Sequence, residues 1–244
     1  MPASIGAESA GFTLSTAHWP EVEAGPRRLL VVPVGSLEQH GAHLPLDTDT
    51  RIAAAVAARA CAGRAGVGLA PPIALGASGE HAEFPGTLSI GSVALSIMLV
   101  ELGRHASLHW PAMLLVNGHG GNAAAIREAV KLLADEGRRC HVWHAGLRPA
   151  QLATEPLVSD AHAGRVETSV MLALAPGDVR LAAASRGDTR PLREIMPDLA
   201  ARGVRHVSPN GVLGDPSGAS AAEGDRLLGL LVADLSQLVD RLVG

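Results

Sequence analysis

Residues 29–49 read LLVVPVGSLEQHGAHLPLDTD. The first six, Leu29-Leu30-Val31-Val32-Pro33-Val34, are an almost unbroken apolar run rich in β-branched side chains, the pattern of a strand covered on both faces. Gly35-Ser36 ends it. Polar, ionisable residues follow at once, and from Asp49 to Gly63 the chain is Ala-rich with Arg51 and Arg59, a helix capped by Asp47 or Asp49. A doubly covered strand that runs through a polar loop into a helix is the unit of a parallel α/β sheet.

The same unit repeats along the chain. A shorter apolar run at 66–75 is interrupted by Pro71-Pro72. Residues 76–91, GASGEHAEFPGTLSIG, form a long polar loop of the kind that carries function. A helix is predicted over 92–105, with Val93, Ile97, Val100 and Glu101 at helical spacing. Residues 112–116 form another buried strand, followed by Asn117-Gly118-His119-Gly120-Gly121-Asn122. Ile126, Val130 and Leu133 mark the next helix, which Gly137 closes, and 140–144 the next strand. The order predicts a mostly parallel sheet with helices on both faces, a single-domain three-layer α/β/α sandwich over 1–244. Beyond it, 164–174 reads as a helix and 211–218 as a turn-rich loop. Ser220 with Glu223 forms a capping box ahead of a last helix striped by Leu227, Leu231, Leu235, Leu238 and Leu242.

Composition narrows the function. The chain has 244 residues, 47% of them hydrophobic, with two Phe, three Trp and no Tyr. Ala, Val, Leu and Gly must fill the core. The net charge of −4 and the lack of basic runs speak against nucleic acid as a partner. Cys61 and Cys140 have no paired spacing and read as cytosolic thiols. Met1 to Ala17 shows no signal-peptide pattern, and no apolar run reaches the roughly 18 residues that suggest a membrane span. The expected location is the cytoplasm.

Three segments carry chemistry. Glu38 and His40, two apart just after a strand, can point to the same side, and Asp49 returns eleven residues after Glu38. Mixed oxygen and imidazole ligands suit Zn²⁺, Mn²⁺ or Fe²⁺. His119 follows a second strand, and sites in open α/β sheets form at the carboxyl ends of strands. Gly120 and Gly121 leave backbone N–H groups that could face a developing oxyanion. In DAHAGRVETS (160–169), His162 sits at a helix entrance and Glu167 about one turn in. Glu80 and His81, in the long loop, are candidate substrate contacts. His43 could orient a ligand, and Asp47 could simply cap its helix. His18, His105, His109, His141 and His206 are assigned no site role.

VPVGSLEQHGAHLPLDTD, GEHAEFPGTLSIG, LLVNGHGGN and HAGRVETS, in this order and separation, resemble the creatininase family. The tail VSPNGVLGDPSGASAAEG is similar to the mycofactocin-system branch of that family. The resemblance implies an α/β/α fold with two divalent metal ions per subunit, iron(II) or zinc, with manganese an option. It implies that Glu38 and His119 bind one ion, His40 the other, and that Asp49 bridges them. Creatininase carries a glutamate ligand where this chain has Gly121, and a tyrosine where it has Gly120. That departure argues against creatinine as substrate and leaves one ion a ligand short, for which Glu167 is the candidate. His162 matches the family's active-site histidine. The branch implies a peptidase that removes a modified C-terminal Val-Tyr from a ribosomally made precursor peptide, and the family implies a homo-oligomer, a hexamer or similar. The alternatives are hydrolysis of a small cyclic amide or formamide, and a non-catalytic metal- or peptide-binding subunit.

Overall fold

The computed structural model describes residues 11–146 and 160–244, so residues 1–10 of the N-terminal reading lie outside the described chain. Five strands, β1 (Phe12–Thr13), β2 (Leu29–Val34), β3 (Val67–Leu69), β4 (Met113–Asn117) and β5 (Cys140–His144), pair in the order β1-β3-β2-β4-β5. Every neighbouring pair is parallel. Among the described residues the α-helices are α1 (Trp19–Ala24), α2 (Thr48–Cys61), α3 (Gly91–Ala106), α4 (Ala123–Asp135), α5 (Arg165–Leu174), α6 (Leu192–Arg202), α7 (Val204–Val207) and α8 (Ala221–Val243).

Alternation along the central strands sorts the core into two layers. Leu29 and Val31 of β2, with Leu114 and Val116 of β4, pack against Val56 and Ala57 of α2, Met171 of α5 and Leu227, Leu231 and Leu235 of α8. Leu30, Val32 and Val34, with Met113 and Leu115, pack against Leu95 and Leu99 of α3 and Ile126 and Leu133 of α4. Every residue of β2 is buried, as its unbroken apolar run requires. Each fully buried leucine or valine contributes about 1.5–3 kcal/mol from apolar burial. Small residues let the layers close: a Cβ at Gly224 of α8 would stand 1.8 Å from the carbonyl oxygen of Ser169 in α5.

The topology places the site. The chain leaves β2 into α2 on one face of the sheet and leaves β4 into α4 on the other. β2 and β4 are neighbours, with Val34 level with Asn117. Their two following loops therefore diverge at a switch point, where a crevice opens at the carboxyl edge. A small third cluster, Ile195 and Leu199 of α6, Val204 of α7 and Leu213, with Phe84 packed against it, anchors the 76–91 loop over that edge. Arg205 adds a bond to the Glu83 carbonyl at 2.7 Å and lies 5.1 Å above the Phe84 ring.

Three local readings change. Of the spaced residues in α3, Val93 and Ile97 face outward, and the buried line is Leu95, Leu99 and Val100. An all-round apolar helix gave the periodicity two faces to choose from. Asp47 occupies the N-cap position of α2 without capping it, because its carboxylate takes the Arg51 Nε–H at 2.8 Å, and Asp49 points into the crevice. Ser220 caps α8 by accepting the Glu223 N–H. The Glu223 carboxylate does not complete the box: it turns to Arg165 and Ser169, both at 2.8 Å, tying α8 to α5.

Candidate metal centre

Two close approaches bring the loops after β2 and β4 onto the first turn of α2. A Cβ at Gly35 would lie 2.4 Å from the Thr50 Cα, and one at Gly118 would lie 2.5 Å from the Asp49 carbonyl oxygen. Only glycine lets both loops sit this near the helix. Asn122 fastens them together, giving hydrogen bonds to the Gly35 carbonyl (2.9 Å) and Asn117 Oδ1 (3.1 Å) and accepting one from the Ala77 N–H (2.8 Å).

Asp49 lies at the middle. Its Oδ1 is 3.1 Å from His40 Nε2, and its Oδ2 is 3.1 Å from His119 Nδ1 and accepts the Ser36 hydroxyl proton at 2.7 Å. His40 donates from Nδ1 to the Glu38 carbonyl oxygen at 3.1 Å, which leaves Nε2 directed at Asp49. Glu38 is fully buried, and neither of its carboxylate oxygens has a hydrogen bond. His119 Nε2 is only 3.1 Å from Glu38 Oε2, but the direction is wrong for donation, and the ring bonds instead to the Ala77 carbonyl. A buried carboxylate with both oxygens unpaired is costly. Its oxygens share their space with imidazole nitrogens, a donor set that fits a common cation.

Glu38, His40 and Asp49 bring ligand atoms within 4.8 Å of one another, as do His40, His162 and Glu167, and Glu38, His81 and His162. Glu167 Oε2 is 3.9 Å from His40 Nε2 and accepts the Ala163 N–H at 2.6 Å. Ala163 takes a positive φ of 52°, a strained turn that sets His162 and Glu167 on one side. Glu80 Oε1 is 3.5 Å from His119 Nε2. It occupies the space a side chain at Gly121 would need, since a Cβ there would lie 2.4 Å from that oxygen. The crevice thus gathers Glu38, His40, Asp49, His119, His162, Glu167, Glu80 and His81. Gly120 faces outward with nothing within 4 Å of a Cβ. His43 lies behind the centre, with Nε2 2.9 Å from the Thr168 hydroxyl. Sequence reading missed Ser36, Asn122 and Gln39. The first follows a strand directly, but no residue type announces its role.

The charges respond to one another. Burial opposes a cation at His40, yet Asp49 and the neighbouring carboxylates lift its pKa to about 10. Burial opposes His119 in the same way, and Asp49, Glu38 and Glu80 raise it well above the ordinary imidazole value. Asp49 is held well below its usual range by these two imidazoles in spite of burial. Burial, then the Asp49 charge, raises Glu38; burial raises Glu167. Burial, and then nearby imidazoles, push His81 down to about 2 and His162 down to about 4, so both are neutral near pH 7. Protons on His40 and His119 supply positive charge that a cluster of carboxylates demands. Divalent cations would supply the same charge, so the donor set fits them.

Fold and site together define a parallel α/β protein with a buried carboxylate–imidazole cluster, able to hold metal, at the switch point. The sequence model of the creatininase family, described as creatinine amidohydrolase, matches residues 15–239. The mycofactocin precursor peptide peptidase of Mycolicibacterium smegmatis is 50% identical over 219 residues, covering 87% of this chain and 85% of that one. A creatininase structure titled with manganese superposes with a TM-score of 0.74 at 26% identity, covering 96% of this chain and 99% of that one. A point-mutant creatininase of Zn-Zn type gives 0.78 at 27%, covering 97% and 99%. The chain belongs to the creatininase family.

Proposed function

We propose that this chain is a metal-dependent peptidase that cleaves an amide bond of the mycofactocin precursor peptide, releasing its modified C-terminal Val-Tyr. The observation that carries the hydrolytic reading is Glu38, buried with both oxygens unpaired among three imidazoles and Asp49. The substrate comes from the likeness to the relative of that name.

In this reading Glu38, His119 and Asp49 would hold one divalent cation, and His40, Glu167 and Asp49 the other. Iron(II), zinc or manganese all suit such donors. Bound cations supply Lewis acidity, which acidifies a water and polarises a carbonyl. Ser36 keeps Asp49 Oδ2 oriented. Neutral His162 takes a proton from the attacking water and returns it to the leaving amine. Glu80, His81 and the N–H group of Gly121 line the substrate's path. The reading keeps the cytoplasmic location suggested by the free thiols Cys61 and Cys140; among the described residues no helix is long and apolar enough to cross a membrane. It acts as a homo-oligomer, a hexamer or similar; Val93 (74% exposed) and Ile97 (60%) offer apolar surface on α3. Light scattering tests that assembly.

The deciding experiment is mass spectrometry of the modified precursor peptide after incubation with iron- or zinc-loaded protein. Release of the altered Val-Tyr fragment, lost in Asp49→Ala, is the expected result. An intact peptide beside full metal occupancy would overturn the substrate and point to a small cyclic amide or formamide.

A further inference from the structure

Gln39 is 5% exposed, and its side chain joins three stretches that are distant in sequence. Partners with a single role fix its orientation. Oε1 lies 2.9 Å from the Gly41 N–H, which can only donate, and Nε2 lies 3.0 Å from the Gly211 carbonyl oxygen, which can only accept. The amide nitrogen has two hydrogens, and one goes to Gly211. Two ring nitrogens compete for the other: His81 Nδ1 at 2.8 Å and His162 Nε2 at 3.1 Å. His162 Nε2 faces the backbone carbonyl of Gln39 at 2.8 Å, so it must carry its ring proton and has no lone pair to offer. The second amide hydrogen therefore goes to His81 Nδ1, which is unprotonated.

An imidazole keeps at least one ring proton, so His81, accepting at Nδ1, carries it on Nε2; His162 donates from Nε2, and its Nδ1 stands beyond hydrogen-bond distance of Glu38, so its proton stays on Nε2. The two rings meet the centre with opposite atoms. His162 turns Nδ1 inward, 3.8 Å from Glu38 Oε1, and His81 turns Nε2 inward, 3.4 Å from the same oxygen. We propose that Gln39 is a positioning residue that fixes these two protons, so that a lone pair (His162) and an N–H (His81) face each other across the site. His81 lies within ligand distance of Glu38 and His162, yet with Nε2 protonated it has no inward lone pair for a metal. It is a donor to substrate.

The catalytic consequence rests on the peptidase reading; the proton placement does not. As the C–O bond forms from water, one water proton passes to His162 Nδ1, and the His81 N–H stabilises the carbonyl oxygen as it gains charge. As the C–N bond breaks, His162 gives its proton to the departing amine.

The test is long-range ¹H–¹⁵N correlation spectroscopy of the zinc-loaded protein labelled with ¹⁵N-histidine, with His81→Gln and His162→Asn spectra for assignment. The expected result is a proton on Nε2 of both rings and none on His81 Nδ1. In Gln39→Met, of similar length but without the amide, the His81 proton distributes over both nitrogens. There kcat on the precursor peptide falls about 10–100-fold, the range for residues that orient a catalytic group, while KM and bound zinc hold. A proton on His81 Nδ1 in the wild type, or zinc on His81, overturns the proposal, as does an unchanged kcat in Gln39→Met. The spectrum needs no variant to fold and no substrate. A wild type with the expected tautomers that leaves the peptide intact refutes the peptidase reading and supports the proton placement.

Discussion

Alanine at Gly121 introduces one methyl group at a crowded point of the centre. Its Cβ would stand 2.4 Å from each of the Ala77 carbonyl oxygen, Glu80 Oε1 and His119 Nε2. Carbon contacts settle at about 3.5–4.0 Å, so the neighbours must yield by roughly 1 Å. Glu80 can swing away. The Ala77 carbonyl cannot easily follow, because the Ala77 N–H is held by Asn122 at 2.8 Å. The remaining strain falls on His119, whose two nitrogens each lie 3.1 Å from a carboxylate oxygen. A displacement of about 1 Å at a catalytic constellation costs on the order of 10²-fold in rate. The overpacking costs about 1–3 kcal/mol of stability. Gly120→Ala is the control, since its Cβ meets nothing within 4 Å, and it should change activity about twofold or less. The assays are kcat/KM on the precursor peptide and metal per chain by emission spectrometry after dialysis. If Gly121→Ala keeps its metal and matches Gly120→Ala in rate, His119 does not depend on the space that Gly121 leaves, and the reasoning is wrong.

Metal binding should release protons near pH 7, because the metal-free protein holds one on His40, with a pKa near 10, and on His119. Zinc titration calorimetry in buffers of differing ionisation enthalpy should therefore give buffer-dependent heats and an affinity that rises with pH; heats independent of buffer would refute this. The same His40 proton stabilises the metal-free fold fully below about pH 6.5, its unfolded value, and the benefit is lost as pH rises through about 10. The metal-free melting temperature should fall over that window, and a flat profile would contradict it. Gly224→Ala forces a methyl to 1.8 Å from the Ser169 carbonyl, so urea unfolding should show a loss of roughly 1–3 kcal/mol or more. Cys61 and Cys140, both pushed up to about 12 by burial, should resist iodoacetamide at pH 8 in the folded protein.

What the sequence disclosed follows from where periodicity and chemistry are strong. β2 and β4 were legible because burial on both faces leaves an unbroken apolar run, and β5 matches its reading residue for residue. The inward face of α3 was not, because Val93, Leu95, Ile97 and Leu99 allow two apolar sides, and only packing against β4 and α4 chooses one. Glu38, His40 and His119 stood out because Glu and His directly after a strand have few other reasons to be there, and the fold brings Asp49, His162 and Glu167 close to them. Gln39 and Asn122 could not: an amide gains its role from partners brought near by topology, including Gly211, which is 172 positions away.

The same distinction explains why one position in a shared motif can change without loss of the centre. In the resemblance, Gly121 stands where creatininase has a glutamate. Here the 76–91 loop, held down by Phe84, Ile195, Leu199 and Val204, fills that space with Glu80 Oε1, while Glu167 Oε2 lies 3.9 Å from His40 Nε2. Negative charge beside the cluster thus comes from Glu80 and Glu167 rather than from position 121. The two carboxylates arrive from a loop and a helix outside the sheet, whereas Glu38 and the two inner histidines come from the diverging loops and Asp49 from the first turn of α2. Changes confined to the outer carboxylates can therefore reshape the substrate's path while the inner set, fixed by Ser36, Asn122 and the close approaches at Gly35 and Gly118, stays as it is.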